Sequence, residues 1–232
     1  MTYQWWPLFD LRLAGPRLTL APMRESDLDL LAEQLPADLE MNPARTRFGL
    51  AGERVDRGMS RHQEYWTAYG SWRPQAWRLN FVVTVRGAAD AGPGGQVIGV
   101  QELEGVDNFL TLRTVDTSSY LIKSARGQGY GKEMRRAVLA LAFGPLGAQA
   151  AITSAWHDNA ASLGVSQALG YRPNGETFHE RESLTGEPPQ AWADVMVHLR
   201  MRREEWLASG QDRDIEIAGF DPCRPLFGLT PA

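Results

Sequence analysis

Arg126-Gly127-Gln128-Gly129-Tyr130-Gly131-Lys132 places glycines at alternate positions between two cations. Glycines let successive backbone N–H groups converge on one anion, and a helix opening immediately behind them adds the positive end of its dipole. The chemistry open to such a stretch is the holding of a phosphate, with Arg126 and Lys132 as local counter-charge and Arg135 and Arg136 as further candidates. A glycine-rich connection between a strand and a helix, with no ligand, has the same composition, so these residues alone leave both readings open. Two phosphate loops are excluded by spacing. The nucleotide-hydrolase loop G-x-x-x-x-G-K-[ST] fails because Arg126 stands where its first glycine belongs and Glu133 follows Lys132. The dinucleotide fingerprint G-x-G-x-x-G lacks its third glycine, which falls on Lys132 or Met134.

The elements that must position this stretch follow from periodicity. "RTVDTSSYLI" leads into it as a strand; behind it Met134, Ala137, Val138, Leu141 and Ala142 recur at the spacing of an amphipathic helix. Upstream, Leu79, Phe81, Val83 and Val85 alternate, "GAADAGPGG" interrupts, and "QVIGVQELEGVDN" resumes, which predicts two hairpin strands. Nearer the N-terminus "PRLTL" is a short strand, and Ser26 is placed to cap a helix over "DLDLLAEQL" that Pro36 ends. Residues 42–58 read as loop, and Tyr65, Trp66, Tyr69 and Trp72 then fall at helical spacing. Downstream, "AAITSAW" reads as a buried strand, and Asn159 opens a short helix that Gly170 stops. "AWADVMVHLRMR" alternates Ala193, Val195, Val197 and Leu199 as a further strand. The expected class is mixed α/β. Residues 1–202 read as one domain with an N-terminal extension over 1–16, and residues 203–232 as a tail packed on it.

At Arg126 to Gly131 the chain resembles the coenzyme A pyrophosphate loop, [RQ]-x-x-G-x-[GA], of the GNAT superfamily of acetyl-CoA-dependent N-acetyltransferases. "DNAASLGVSQALGYRP" is similar to the N-x-x-S-x-x-V-x-x-x-x-G-[FY] helix of the same superfamily, in the branch that contains ribosomal-protein N-terminal acetyltransferases and many small-molecule acetyltransferases. Asn159, Ser162, Val165, Gly170 and Tyr171 fall in register. Singly each has an ordinary reading, Asn159 as a helix cap and Gly170-Tyr171 as a helix stop; the two segments together are separated as the family spaces them.

The resemblance covers residues 17–201. It implies a GNAT-type twisted, mostly antiparallel sheet flanked by helices, with two central parallel strands, "DTSSYLI" and "AAITSAW", that splay apart. It implies acetyl-CoA as cosubstrate. Leu121 and Ile122 would pair with the pantetheine arm as a further strand does; Arg126, Gly127, Gln128, Gly129, Tyr130, Gly131 and Lys132 would wrap the pyrophosphate; Asn159 and Ser162 would touch the rest of the coenzyme.

Acetyl transfer from a thioester to an amine needs a neutral amine, a near-attack position and a donor for the departing thiolate. It needs no covalent enzyme intermediate, in keeping with a single cysteine, Cys223, far along the tail. Asp116 stands on the strand expected to splay, where many family members carry a glutamate, so the resemblance makes it the candidate base against the plainer reading of a solvated carboxylate. Glu102 and Glu104 are the reserves. Where some family members carry a tyrosine acid this chain has Ser166, which leaves Ser162 as the candidate donor to the sulfur or, alternatively, an anchor for the coenzyme. Tyr65, Trp66, Tyr69, Trp72 and Trp77 either line the acceptor site or belong to the core, the commoner fate of aromatics at helical spacing. "FHERES" and "GEPPQAW" are expected as a polar loop facing a cationic amine. His62, His157, His179 and His198 show no metal-ligand spacing, and His157 ends a strand beside the expected cleft.

With 24 basic and 28 acidic residues the net charge is −4, which offers no global field for nucleic acid or an anionic membrane. One cysteine excludes an intramolecular disulfide and a thiolate zinc cluster, and a reducing cytoplasm is the expected setting. The opening "MTYQWWPLFDLRLAGPRL" is broken by Pro7, Asp10 and Arg12 and is not expected to be a signal peptide. No run approaches the roughly 18 apolar residues of a membrane span. The expected partners are acetyl-CoA and an amine, either a protein N-terminus or a small molecule, with the chain a monomer or homodimer and no metal. The alternative is an acyl-CoA sensor without turnover. Intact glycines do not separate the two, and Asp116 argues mildly against the sensor.

Overall fold

In the computed structural model the described residues are 4–40, 46, 48–49, 52–87, 95–183 and 190–230. The strands are β1 (Arg12–Ala14), β2 (Leu18–Pro22), β3 (Trp77–Val85), β4 (Gln96–Gly105), β5 (Thr114–Leu121), β6 (Ala150–Trp156), β7 (Arg172–Glu182), β8 (Ala191–Arg202) and β9 (Glu216–Ala218). They form one sheet in the order β7-β8-β6-β5-β4-β3-β2-β1-β9. The helices are α1 (Leu28–Glu33), α2 (Glu53–Gly70), α3 (Phe109–Leu112), α4 (Tyr130–Phe143), α5 (Ala160–Leu169) and α6 (Arg203–Ser209).

The pairing of β5 with β6 sets up the site. It is parallel, whereas β4 with β5 and β6 with β8 are antiparallel, and it lasts only from Thr114 to Asp116 against Ala150 to Ile152. Beyond that point β5 stays paired with β4 as far as Leu121 and β6 stays paired with β8 as far as Trp156, so the two strands part. A side chain closes the vertex: Thr153 Oγ1 donates to the Thr117 carbonyl at 2.8 Å. From Thr117 onward one edge of β5 faces an open gap.

Alternation along the strands divides the packing between two faces. Leu79, Phe81, Val83, Leu103 and Val115 meet Met134, Ala137, Val138, Leu141 and Ala142 of α4 in the larger core, as the helical spacing predicts. On the opposite face Val82, Val100 and Tyr120 pack with Met23, Leu28, Leu31 and Tyr65 under α1 and α2. The two faces of β4 and β5 therefore serve different functions, one seating α4 and the other facing α2.

Several expectations are revised. Helix α2 begins at Glu53, inside the stretch read as loop, and ends at Gly70, so Trp72 lies beyond it; the part of that loop at residues 42–45, 47 and 50–51 is outside the described residues. Ser26 is not a cap: it sits in a 3-10 turn, Glu25–Asp27, where Asp27 accepts from the Arg24 backbone N–H at 2.8 Å, and α1 ends at Glu33 before Pro36. Phe178 to Glu182 are strand, not loop; residues 184–189 are outside the described residues. At the far edge β9 pairs with β1, so segments from both ends of the chain extend the sheet. Neither strand has enough residues to show a period of two. Trp206, Cys223 and Phe227 are buried with the main core, and burial pushes the Cys223 thiol up to about 12.

Candidate active site

The glycine stretch follows β5 directly, after a 3-10 turn over Lys123–Ala125, and runs into α4. Gly127 at φ 75° and Gly129 at φ 81° occupy the left-handed region, which a residue with a Cβ enters only at a cost. A Cβ at Gly127 would meet nothing within 4 Å, so the loop's outer side is open, as a cradle for an anion requires. Gly131 allows close approach instead, since a Cβ there would lie 3.3 Å from Val165 Cγ2 on α5.

A latch that sequence reading missed holds this loop in place. Glu133 of α4 accepts from the backbone N–H groups of Arg17 and Leu18, at 2.7 and 3.0 Å, and from Arg17 Nε at 2.8 Å. Arg17 in turn donates to the Gln128 carbonyl at 3.0 Å and lies over the Tyr130 ring. Arg126 donates to both oxygens of Asp38, at 2.8 and 3.0 Å, and from Nε to the Leu121 carbonyl. The Arg126 guanidinium beside Asp38 holds that carboxyl below its ordinary range. Lys132 is exposed beside the loop.

Arg135 and Arg136, candidates for the phosphate charge, turn elsewhere. Arg136 pairs with Asp214 and the Gln211 carbonyl of the C-terminal segment, and Arg135 is buried behind the gap. The Ile122 N–H donates to the Ile98 carbonyl at 2.9 Å, so the edge of β5 left open toward β6 is Thr117 to Leu121. Across the gap, the Asn159 side chain caps α5 by accepting from the Ser162 N–H at 3.0 Å, which fits its plain structural reading.

On the α2 face lies a cavity of about 280 Å³ walled by Glu40, Glu64, Glu102, Arg61, Arg78 and the Ser118 to Tyr120 segment of β5, with Leu39 and Val100. Arg61 pairs with Glu64 at 2.9 Å, and Arg78 lies between Glu102 at 3.4 Å and Glu104 at 3.0 Å. Burial raises the Glu102 carboxyl to about 7, against the opposing pull of Arg78. Asp116 lies opposite Glu104 at the vertex; burial raises it to about 6, partly offset by the Thr117 N–H that donates to it at 2.6 Å. The candidate base and both reserves thus share one face, and of the three it is Glu102 that lines the cavity.

The aromatic residues are largely core. Tyr65 and Trp77 are buried, Tyr69 donates to the Met23 carbonyl, and Trp72 donates to the Leu226 carbonyl within a stack that includes Trp77 and Phe227. Trp66 is 55% exposed on α2. None of these lines the cavity, whose walls are charged instead. One wall pair, Arg61–Glu64, is a local i,i+3 pair on α2, whereas Arg78 reaches Glu102 and Glu104 on the neighbouring strand, which no local spacing announces. His157 faces Asp194, while His198 bridges Ser154 and Thr177. Among the described residues no cluster of His, Cys, Asp or Glu is arranged to hold a metal, and no helix is long and apolar enough to cross a membrane.

Solved structures share this architecture. Spermidine N-acetyltransferase from Vibrio cholerae, in complex with CoA and spermine, superposes with a TM-score of 0.60 at 14% identity, over 82% of this chain and 98% of that one. RimJ of Mycobacterium smegmatis, in complex with CoA-disulfide, does so with a TM-score of 0.59 at 15% identity, over 88% and 97%. At such identities the likeness is one of fold. The family is shown independently by a sequence model of the acetyltransferase (GNAT) domain, which matches residues 17–172 and so spans the latch, the gap and both helices beside it: the chain belongs to the GNAT acetyltransferase family.

Proposed function

We propose that this chain transfers an acetyl group from acetyl-CoA to a primary amine seated in the charged cavity beside Glu102, the two substrates meeting through the gap between β5 and β6. The observation that carries the reading is that one stretch of β5 serves both sides: Ser118 to Tyr120 wall the cavity, and the same residues border the open edge that leads to the glycine loop. The residues present fit the cosubstrate. Gly127 leaves the loop open, Arg126 and Lys132 stand beside it, and the edge of β5 from Thr117 to Leu121 has no strand partner on the β6 side, its two end carbonyls held by Thr153 and Arg126. Acetyl-CoA supplies an acyl group on a sulfur that leaves readily.

The chain's own groups do the rest. Glu64, Glu102 and Glu40 face the amine in the cavity, their carboxylates held by Arg61, Arg78 and Arg181 respectively. Glu102, with its raised pKa, takes the ammonium proton near neutral pH; Asp116 on the same face is the second candidate. Ser162, in the first turn of α5, is the candidate hydroxyl donor to the departing sulfur. The acceptor is a cationic amine of the kind presented by polyamines or peptide N-termini, in the setting of the branch that the Asn159 to Tyr171 helix resembles.

The test is coenzyme A release from acetyl-CoA by the purified protein, with polyamines, aminoglycoside-type amines and N-terminal peptides as acceptors. Turnover with one class assigns it. Tight coenzyme binding without turnover on any of them would instead favour the sensor.

A further inference from the structure

Arg135 is only 2% exposed, yet it has no carboxylate at ion-pair distance among the described residues. Its guanidinium is bonded to hydroxyls: Nη1 lies 3.3 Å from Thr153 Oγ1 and 3.4 Å from Ser166 Oγ, Nη2 lies 3.4 Å from Ser119 Oγ, and the Tyr171 hydroxyl is also beside it. Nε has no partner, and the carboxyl that feels its charge, Asp116, is not at ion-pair distance. Burying a cation without an anion is strongly unfavourable, and replacing such a group by an apolar one of similar volume is often neutral or stabilising. Nothing in the packing of α4 requires the charge, because its neighbours Met134, Ala137 and Val138 seat the helix by apolar contact.

The position of the charge is specific. Thr153 and Thr117 mark the vertex where β5 and β6 part, and Ser119 walls the amine cavity. The edge of β5 that β6 leaves unpaired leads from the glycine loop to that vertex over Leu121 to Thr117, about 13 Å at roughly 3.3 Å per residue, a length comparable to an extended pantetheine arm. Arg135 stands at the inner end of this path on the α4 side, within 3.4 Å of the Ser119 hydroxyl, and Ser119 is also a wall of the cavity.

We propose that Arg135 is a further catalytic residue: its guanidinium receives the negative charge that develops on the sulfur as the acyl group departs. This rests on the acetyltransferase reading above. In the step it assists, the ammonium first gives one proton to the carboxylate of the cavity; the neutral amine nitrogen then forms the C–N bond, the C–S bond breaks with its electron pair staying on sulfur, and the nitrogen's second proton leaves to that thiolate, giving an amide and the coenzyme A thiol. A buried charge is suited to this because it is pre-oriented and unscreened by water. The hydroxyls of Thr153, Ser166 and Ser119 hold the guanidinium without neutralising it.

The experiment compares wild type, Arg135→Met and Arg135→Lys by thermal melting with and without coenzyme A, by the ultraviolet absorbance of the bound coenzyme's thiolate against pH, and by kcat. In the wild type the thiol of bound coenzyme A is expected to ionise at lower pH than in solution. Arg135→Met should abolish that shift, lower kcat by about 10²–10³-fold as loss of a preorganised charge-stabilising donor does, and leave the melting temperature of the free protein unchanged or higher. Arg135→Lys should recover part of both. Equal thiol ionisation in wild type and Arg135→Met, or an unchanged kcat, overturns the proposal. If Arg135→Met does not fold, Arg135→Lys decides: a folded lysine variant with no thiol shift overturns it. A wild type that neither binds coenzyme A nor turns over overturns the acetyltransferase reading as well, whereas normal turnover in Arg135→Met overturns this inference alone.

Discussion

Glu133 and Arg17 meet at 2.8 Å through Oε2 and Nε, while Glu133 Oε1 accepts the backbone N–H groups of Arg17 and Leu18. One carboxylate thus ties the start of β2 to the first turn of α4, directly under the glycine loop that Arg17 also grips through the Gln128 carbonyl. Glu133→Ala would leave these N–H groups and the Arg17 side chain without their acceptor. The expected cost is about 1–3 kcal/mol for each buried donor left unsatisfied, read in urea melts. Coenzyme affinity should weaken with it, read by calorimetry.

Gly129 holds a left-handed conformation at φ 81°. Valine there would be strained, and its Cβ would lie 3.5 Å from Arg17 Nη2, against the side chain that grips the loop. Acetyl-CoA at about 100 times its dissociation constant should stabilise the wild type by about 2.7 kcal/mol, visible as a thermal shift. Gly129→Val is expected to abolish that shift, and a variant that kept it would remove the loop from the coenzyme site.

Glu102 and Asp116 are separable by pH. A base works deprotonated, so kcat/KM should fall as pH drops through the pKa of whichever carboxyl acts: about 7 for Glu102 and about 6 for Asp116. Glu102→Gln is expected to lose about 10²–10⁴-fold in kcat, the usual contribution of a general base, and to flatten the acidic limb. Were the limb to lie near 6 and vanish in Asp116→Asn instead, the proton would belong to Asp116.

The raised pKa of Glu102 also bears on stability. Between its ordinary 4.5 and its folded value of about 7 the folded chain binds more proton than the unfolded chain does. Its contribution to stability is therefore full below 4.5 and is lost as pH rises through about 7. Glu102→Gln should remove this part of the slope, so urea melts of the two proteins should diverge as pH climbs from about 4.5 to about 7.

Trp72 and Trp66 should behave oppositely. Trp72 is packed against Trp6, Tyr69, Trp77 and Phe227 and donates to the Leu226 carbonyl, so Trp72→Ala is expected to cost about 3–5 kcal/mol. Trp66 is more than half exposed, and Trp66→Ala should stay within about 0.5 kcal/mol of wild type. Chemical denaturation of both variants checks the contrast.

What the sequence determined by itself is whatever local periodicity and short motifs encode. The strands at 77–85, 96–105, 114–121, 150–156 and 191–202 and the helices at 130–143 and 160–169 follow from alternation, apolar spacing and glycine stops, because each pattern lies within one element. The glycine loop was legible for the same reason: its backbone geometry depends on Gly127 and Gly129 themselves. Tertiary structure decided what distant segments do to one another. The residue at which β5 parts from β6, just after Asp116, the Arg17–Glu133 latch and the meeting of Arg78 on β3 with Glu102 on β4, across from the Arg61–Glu64 pair of α2, each depend on how separate elements come together. The opposite fates of Arg135, Arg136 and Lys132 illustrate the reason. They lie within one turn and a half of the same helix, and their sequence records only three cations. The rotation of α4 against the sheet sends Lys132 to solvent, Arg136 to Asp214, and Arg135 into the dry vertex of the gap.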